Sequence, residues 1–482
     1  MKRSFIVAAL LLFASAAQAD LLDSWRKAKS VLDRGLAAMG GVDALRSKKQ
    51  VSMTFTGTEW RVGQSADPEK PLDTVPTDGR IYLDSEKQRG LVESSQRYVP
   101  DYEFRGRTVF DGANAWNMNV SWHTAFPVQN VPQQFRTTLR GRPHHLLLFA
   151  SERANTLRYL GNEDGHDVIV FADTDGSQNT LHFDSAHMLR KVVTFFSDPI
   201  RGDVLAETTY PEYRAIDGVQ MPVRMVRREN GVVVRDLAFT GIKFNTPIAE
   251  ADLKVPEGWG PPAGGEQKVT KVGEGVWTLE MPDPTMMFAE ADGGVYIIEG
   301  ASQDAAFAER VIAKVRETLP GKEIKGVVMT HWHHDHSGGV RAYIAAGIPI
   351  ITTPSNVKWI QRAATEGKRT IAPDALARAP KAPVVQTFEG RKRIGNFELV
   401  ELTKTPHVDS ILVAWFPKEK VLFQSDLVIM PREREMNMSP VLSRWLEGEL
   451  KRLKLVPETI VGYHGRSIRR DELTRLAATP GA

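Results

Sequence analysis

The chain of 482 residues contains no cysteine. That excludes disulfides, a thiol nucleophile, thiolate metal ligands and lipid attachment through a cysteine at the N-terminus. It also lacks an excess of charge of either sign, with 62 Lys and Arg against 59 Asp and Glu. No basic run interleaved with aromatics stands out, so nucleic acid is not an expected partner. Nor does any apolar run approach the ~20 residues of a membrane span. The longest begins almost at the start, where Met1-Lys2-Arg3 precedes apolar residues 5–13 and Ala17-Gln18-Ala19 precedes Asp20. A basic start, a short apolar stretch and small residues at the end make a secretory signal peptide over 1–19, cleaved after Ala19. The expected location is therefore periplasmic or secreted, with a folded chain large enough to do without disulfides.

What is present is ordinary globular composition, 42% hydrophobic and 25% charged, so residue pattern must carry the reading. Roughly 460 residues after the signal exceed one typical domain. A boundary falls at 258–265, where Gly258, Gly260, Pro261, Pro262, Gly264 and Gly265 cluster and periodicity is lost. Residues 20–257 begin with a helix over 22–39. Strand-like runs follow at 51–56, 80–84, 108–110, 167–171, 181–183, 192–196 and 232–236. Asp111-Gly112 and Asn230-Gly231 are hairpin turns, so this domain reads as mostly antiparallel β. Its histidines at 123, 144, 145, 166, 182 and 187 have no ligand spacing. Residues 266–482 alternate strands with helices, including a helix over 305–319 with Phe307, Val311, Ile312 and Val315 on one face.

The densest chemistry is Thr330-His331-Trp332-His333-His334-Asp335-His336, ahead of Ser337-Gly338-Gly339. It follows an apolar run at 325–329 that reads as a buried strand. Residues at i and i+2 of an extended segment point the same way, so His331 and His333 can meet one ion. Asp335 and His336, on the turn beyond, can face a second. Imidazole and carboxylate are donors zinc accepts. His334 lies between the ligand positions and is assigned no role.

This motif resembles the metallo-β-lactamase fold superfamily, whose hallmark is His-x-His-x-Asp-His. The family's remaining positions are filled by His407 after Thr405-Pro406, by Asp426 at the end of the run 421–426, and by His464 in Gly462-Tyr463-His464-Gly465. The resemblance implies an αββα sandwich in an α/β domain, following the antiparallel β domain. It assigns His331, His333 and His407 to one zinc, Asp335, His336 and His464 to another, and Asp426 to both; iron or manganese would suit the same donors. It implies a hydrolase in which a hydroxide between two metals cleaves an ester, lactone, amide or related bond of a small-molecule substrate. Asp335 is then both ligand and proton handler. Arg466 is either a contact for a substrate anion or a surface cation. With an aspartate where the best-known lactamases of this fold carry cysteine, antibiotic hydrolysis does not follow.

The segments 215–222 and 245–253 loosely resemble half-barrel domains that carry or sort lipoproteins in the bacterial envelope. One alternative is therefore a periplasmic lipid- or lipoprotein-handling factor with a structural or degenerate metal site; another, from the metallo-β-lactamase resemblance, is an iron-dependent oxidoreductase of the same fold. Specificity is expected from loops at 281–287, 356–380 and 429–439, with the N-terminal domain shaping the entrance.

Overall fold

The computed structural model describes residues 2–98, 102–128, 131, 135, 138–139, 141–260, 267–281, 284–432 and 437–478, with side chains from Asp20 onward except at 102. The side chains of the signal segment, most of the linker, and parts of the loops 281–287 and 429–439 therefore lie outside the described residues. The backbone is helical over Lys2–Ala38. Among the described residues no helix is long and apolar enough to cross a membrane.

Among the described residues the N-terminal half is built on an antiparallel sheet of thirteen strands, with a separate two-stranded hairpin of Tyr213–Ile216 and Val219–Pro222. The large sheet forms because its strands alternate. In Gln50–Trp60, Val51, Met53 and Phe55 are buried while the residues between them are more exposed. That strand joins two meanders, pairing with Thr74–Asp84 on one side and Val232–Phe244 on the other. The sheet is open, with Thr124–Pro127 at one edge and Arg158–Glu163 at the other. Both expected hairpins are present: Asp111-Gly112 joins Tyr102–Asp111 to Ala115–Asn119, and Asn230-Gly231 joins Arg224–Glu229 to Val232–Phe244. Asn230 and Gly231 both take positive φ, as a two-residue hairpin turn requires. The first helix lays Ala28, Val31, Leu32 and Leu36 against Leu181, Phe183 and the helix Pro143–Glu152. A cavity of ≈ 860 Å³ is lined by Phe55, Phe110, Leu237 and Phe239 of the sheet together with Arg142.

The C-terminal half contains two facing sheets. Seven strands from Lys268–Gly273 to Val385–Thr387 form the first, antiparallel at the start and parallel at the end. Six strands from Arg391–Ile394 to Ile468–Arg469 form the second. Phe288, Ile297 and Val327 of the first meet Leu399, Leu412, Phe416 and Phe423 of the second in a dry core. Such a side chain stabilises by about 1.5–3 kcal/mol when fully buried. The helix Ala305–Thr318 covers the outside of the first sheet. Asp304 caps it by accepting from the Phe307 N–H at 2.7 Å, and Phe307, Val311, Ile312 and Val315 point inward as their spacing predicts. Pro440–Leu453 covers the second sheet through Leu442, Leu446 and Leu450.

The halves are tied together. The linker residue Gly260 accepts a hydrogen bond from the Ala125 N–H at 3.0 Å, and Trp259 stacks on His123. Arg369 donates to the carbonyls of Asp198, Pro199 and Ile200. After Trp60 the chain leaves the N-terminal sheet and runs over 61–73 across the C-terminal domain. There Ala66 accepts from the Asp409 N–H and Glu69 pairs with Arg362.

Candidate metal centre

The motif 331–336 lies where the buried strand Ile324–Val328 ends and a short helix, His334–Ser337, begins. The parallel strand carries the backbone to the sheet edge fully buried, and the turn splays the side chains in two directions. His407 follows the strand Phe397–Thr403, Asp426 follows Val421–Gln424, and His464 follows Thr459–Gly462. All three strands belong to the second sheet. Their ends meet the end of Ile324–Val328 at one edge of the sandwich, so residues far apart in sequence converge.

Two groups result, one of His331, His333, His407 and Asp426, the other of Asp335, His336 and His464. In each, one donor atom per residue lies within 4.8 Å of the others. Asp426 faces both. Its Oδ2 is 2.8 Å from His407 Nε2, 3.4 Å from His331 Nε2 and 3.1 Å from His336 Nε2, and its Oδ1 is 3.4 Å from His464 Nε2. Asp335 Oδ2 lies 3.3 Å from His336 Nε2 and 3.2 Å from His464 Nε2.

The hydrogen-bond pattern shows which ring atoms face inward. A carbonyl can only accept, so His333 must donate through Nε2 to the Ser65 oxygen at 2.9 Å, leaving a lone pair on Nδ1. His336 likewise donates through Nδ1 to the Glu299 carboxylate at 3.0 Å. Thr330 gives its hydroxyl proton to Ser425 at 3.2 Å and so accepts from His331 Nδ1 at 3.0 Å. The opposite nitrogens of these three rings, His331 Nε2, His333 Nδ1 and His336 Nε2, together with His407 Nε2 and Asp426 Oδ1, are buried without a well-formed hydrogen bond, although all but His333 Nδ1 lie in the cluster of close contacts around Asp426. Unpartnered buried lone pairs cost roughly 1–3 kcal/mol each, and here they converge. Rings anchored on one nitrogen and open on the other are how proteins present imidazole to a metal. The residues present thus fit divalent cations, in the grouping the resemblance implied.

Electrostatics favour a neutral ring at His333 but not at His336, where burial is outweighed by Asp335 and Asp426, which raise the pKa well above its ordinary value, so that this ring must lose a proton to ligate. Burial works against ionisation of Asp335 and Asp426, yet the neighbouring histidines, His336 first, hold both carboxyls well below the usual carboxylate range. Burial dominates at His333 and pushes its pKa well down, so the ring stays neutral and able to ligate. Glu299, fully buried, is pushed up by desolvation against the pull of His336.

Several functional neighbours carry no signal in the motif. Glu299 is one and Ser65 another. A third is Gln64, whose Nε2 donates to Asp335 Oδ1 at 2.6 Å. The cavity above the site, ≈ 400 Å³, is lined by Asp335, His407, Asp426 and His464, by Ile429, Ser439 and Leu442, and by Arg61, Gln64, Tyr98, Phe104, Asn119 and Trp122 of the N-terminal half. The expected loop 429–439 thus contributes, whereas 281–287 and 356–380 supply none of the described lining. The helix Val357–Thr365 and the turn after it instead pack on the N-terminal half. Arg466 turns to Glu472, 2.6 Å away, and is not among the lining residues. His334 points away from both groups and lies against Trp359.

Residues 285–464 match the family model of the metallo-beta-lactamase superfamily. With the two-sheet fold, this defines the C-terminal region as a metallo-beta-lactamase-fold domain carrying His/Asp metal-binding groups. Among solved structures, the metallo-beta-lactamase from Pontibacter korlensis is 19% identical over 44% of this chain and 98% of its own, with a TM-score of 0.31. That from Hirschia baltica is 17% identical over 44% and 96%, with a TM-score of 0.33. FIM-1 from Pseudomonas aeruginosa, in a mono-zinc form, is 17% identical over 44% and 93%, also with a TM-score of 0.33. A comparison with curated proteins finds no match.

Proposed function

We propose that this protein is an exported hydrolase that holds two zinc ions and cleaves an ester, lactone, amide or related bond of a small molecule. The observation that carries the reading is the convergence of unpartnered, inward-facing donors from the ends of four strands. His331, His333 and His407 would hold one ion, Asp335, His336 and His464 the other, with Asp426 between them. Nitrogen and carboxylate donors without thiolate suit zinc, and iron or manganese is the alternative that metal analysis distinguishes. When bound, such ions supply Lewis acidity and a water acidic enough to attack near neutral pH.

The chain's own residues do the rest. Asp335, kept ionised, borders the cavity and can take up the proton of the attacking water. Gln64 fixes its orientation from the N-terminal side. Phe104, Trp122, Ile429 and Leu442 give the cavity apolar walls that limit water around the scissile bond. Export rests on the basic start, the apolar run 5–13 and Ala17-Gln18-Ala19.

Metal analysis of protein purified without added metal, followed by zinc titration, tests the site. Two equivalents are expected, and fewer than about one in well-folded protein overturns it. A panel of chromogenic esters, lactones, cephalosporins, phosphodiesters and sulfate esters tests the reaction. N-terminal sequencing of exported protein should begin at Asp20.

A further inference from the structure

Part of the cavity wall comes from outside the metallo-beta-lactamase-fold domain, and it carries a cation with a buried, unpartnered N–H. Arg61 lines the cavity, and its guanidinium stacks over the Tyr98 ring at 4.6 Å. Its Nε is buried without a hydrogen-bond partner, and among the described residues the side chain forms no ion pair. Trp122 lines the same cavity, 8% exposed, and its indole N–H also has no partner. Its ring meets His464 edge-on at 5.9 Å between centroids.

Arg61 stands close to the reacting centre. One turn further on, Gln64 donates its backbone N–H to the Arg61 carbonyl at 3.1 Å and its side chain to Asp335. The field of Asp335 and Asp426 reaches Arg61, as does that of Tyr98 and Asp73, while burial works against its charge. Once those two carboxylates serve metal ions, their charge no longer compensates the guanidinium. A half-buried cation and an indole donor then need an acceptor from elsewhere, and the cavity is where a substrate must lie.

We propose that Arg61 selects substrates bearing a carboxylate close to the scissile bond, with Trp122 as second donor. The planar guanidinium fork matches the two oxygens of a carboxylate. One unpaired cation matches one negative charge, whereas a phosphate dianion would call for more. Phe104 and Leu442 on the same cavity fit an apolar body beside the charged group. The inference rests on the hydrolase reading only for where the scissile bond lies; the anion site itself does not depend on turnover.

The experiment is calorimetric, on zinc-loaded protein, with phenylacetate and its neutral amide as probes. Wild-type protein should bind phenylacetate at least about tenfold more tightly than phenylacetamide, a ratio expected of one charge-assisted contact. Arg61→Met should weaken phenylacetate about tenfold and change phenylacetamide less than about twofold. Arg61→Lys should fall between, since a point charge keeps the attraction and loses the fork. Equal phenylacetate affinity in wild type and Arg61→Met overturns the proposal, because the anion would then be held by the metals alone. No preference for phenylacetate in wild type overturns it too. Should Arg61→Met misfold, Arg61→Gln gives the same comparison. In parallel, the ratio of kcat/KM for mono-4-nitrophenyl succinate over 4-nitrophenyl acetate should fall about tenfold in Arg61→Met, through KM. If neither ester is cleaved, the hydrolase reading is in question while the calorimetry still decides the role of Arg61.

Discussion

The ring of His333 donates through Nε2 to the backbone carbonyl of Ser65, 2.9 Å away and 268 positions earlier in the chain. A residue of the N-terminal half thereby sets which nitrogen of a metal-site histidine is open. The contact is part of a seam, since Gly63 accepts from the His334 N–H at 2.9 Å and Gln64 grips Asp335. The N-terminal half thus reaches beyond the entrance to the donors themselves.

Gly63 tests that seam. Its φ of +71° is one that side-chain-bearing residues rarely adopt, and a Cβ there would run into the His334 ring. Gly63→Val should cost about 2–4 kcal/mol of stability, from strained backbone and overpacking together. Zinc affinity should drop as the loop lifts from His333 and Asp335. Thermal melting and competitive zinc titration check this; a variant equal to wild type in both would show the seam to be incidental.

Glu299 should matter as much as a ligand position does, although it faces away from the open donors. It is fully buried, with its carboxylate on His336 Nδ1. Glu299→Gln keeps the shape but loses the charge that makes the ring a stronger donor. Metal affinity is expected to fall about 10–100-fold, as for other partners of ligating histidines. Retained stoichiometry with weakened affinity is the signature, read by titration against a chelator.

Asp426→Ala should lose one of two metals and at least ~10² in kcat, since the single carboxylate faces histidines of both groups. The fold should persist, because the dry core between the sheets does not include this side chain. Elemental analysis and circular dichroism separate the two outcomes. Full activity in this variant would refute the bridging assignment.

The N-terminal half should weaken in mild acid. Burial, followed by the charge of Arg142, lowers the pKa of His145 to about 4, and burial takes the adjacent His144 well below its ordinary value. An unfolded chain takes up these protons below about pH 6.5, whereas the folded state refuses them until about pH 4. Stability from these groups is therefore present at pH 7 and lost as pH falls through that window. His145 should account for about 2 kcal/mol of the loss between pH 7 and pH 5. Denaturant unfolding at both pH values, for wild type and His145→Gln, measures it; an unchanged difference in the variant would refute the assignment.

The hairpins at Asp111-Gly112 and Asn230-Gly231, the helix over 305–318 and the α/β character of the C-terminal half were legible because each depends on local chemistry. Positive-φ turns, period-2 alternation and a spaced apolar face all lie within a few residues. The motif 331–336 was legible for a related reason, since its donors sit at short fixed spacing, whereas His407, Asp426 and His464 were reached only through the resemblance to the metallo-β-lactamase fold. Ser65, Gln64, Glu299 and Arg61 were not legible. Ser65 acts through a carbonyl, which every residue has, so no side-chain pattern marks it. Glu299 and Gln64 act across 37 and 271 positions, where no periodicity links partners. Local pattern and residue type account for the antiparallel N-terminal half, the strand–helix alternation of the C-terminal half, the motif 331–336 and the lack of thiolate chemistry. Tertiary packing sets which nitrogen of His331, His333 and His336 is open, that Glu299 backs His336, and which residues of the N-terminal half line the cavity. Those depend on long-range packing, and packing is a property of surfaces in contact, which no stretch of sequence contains.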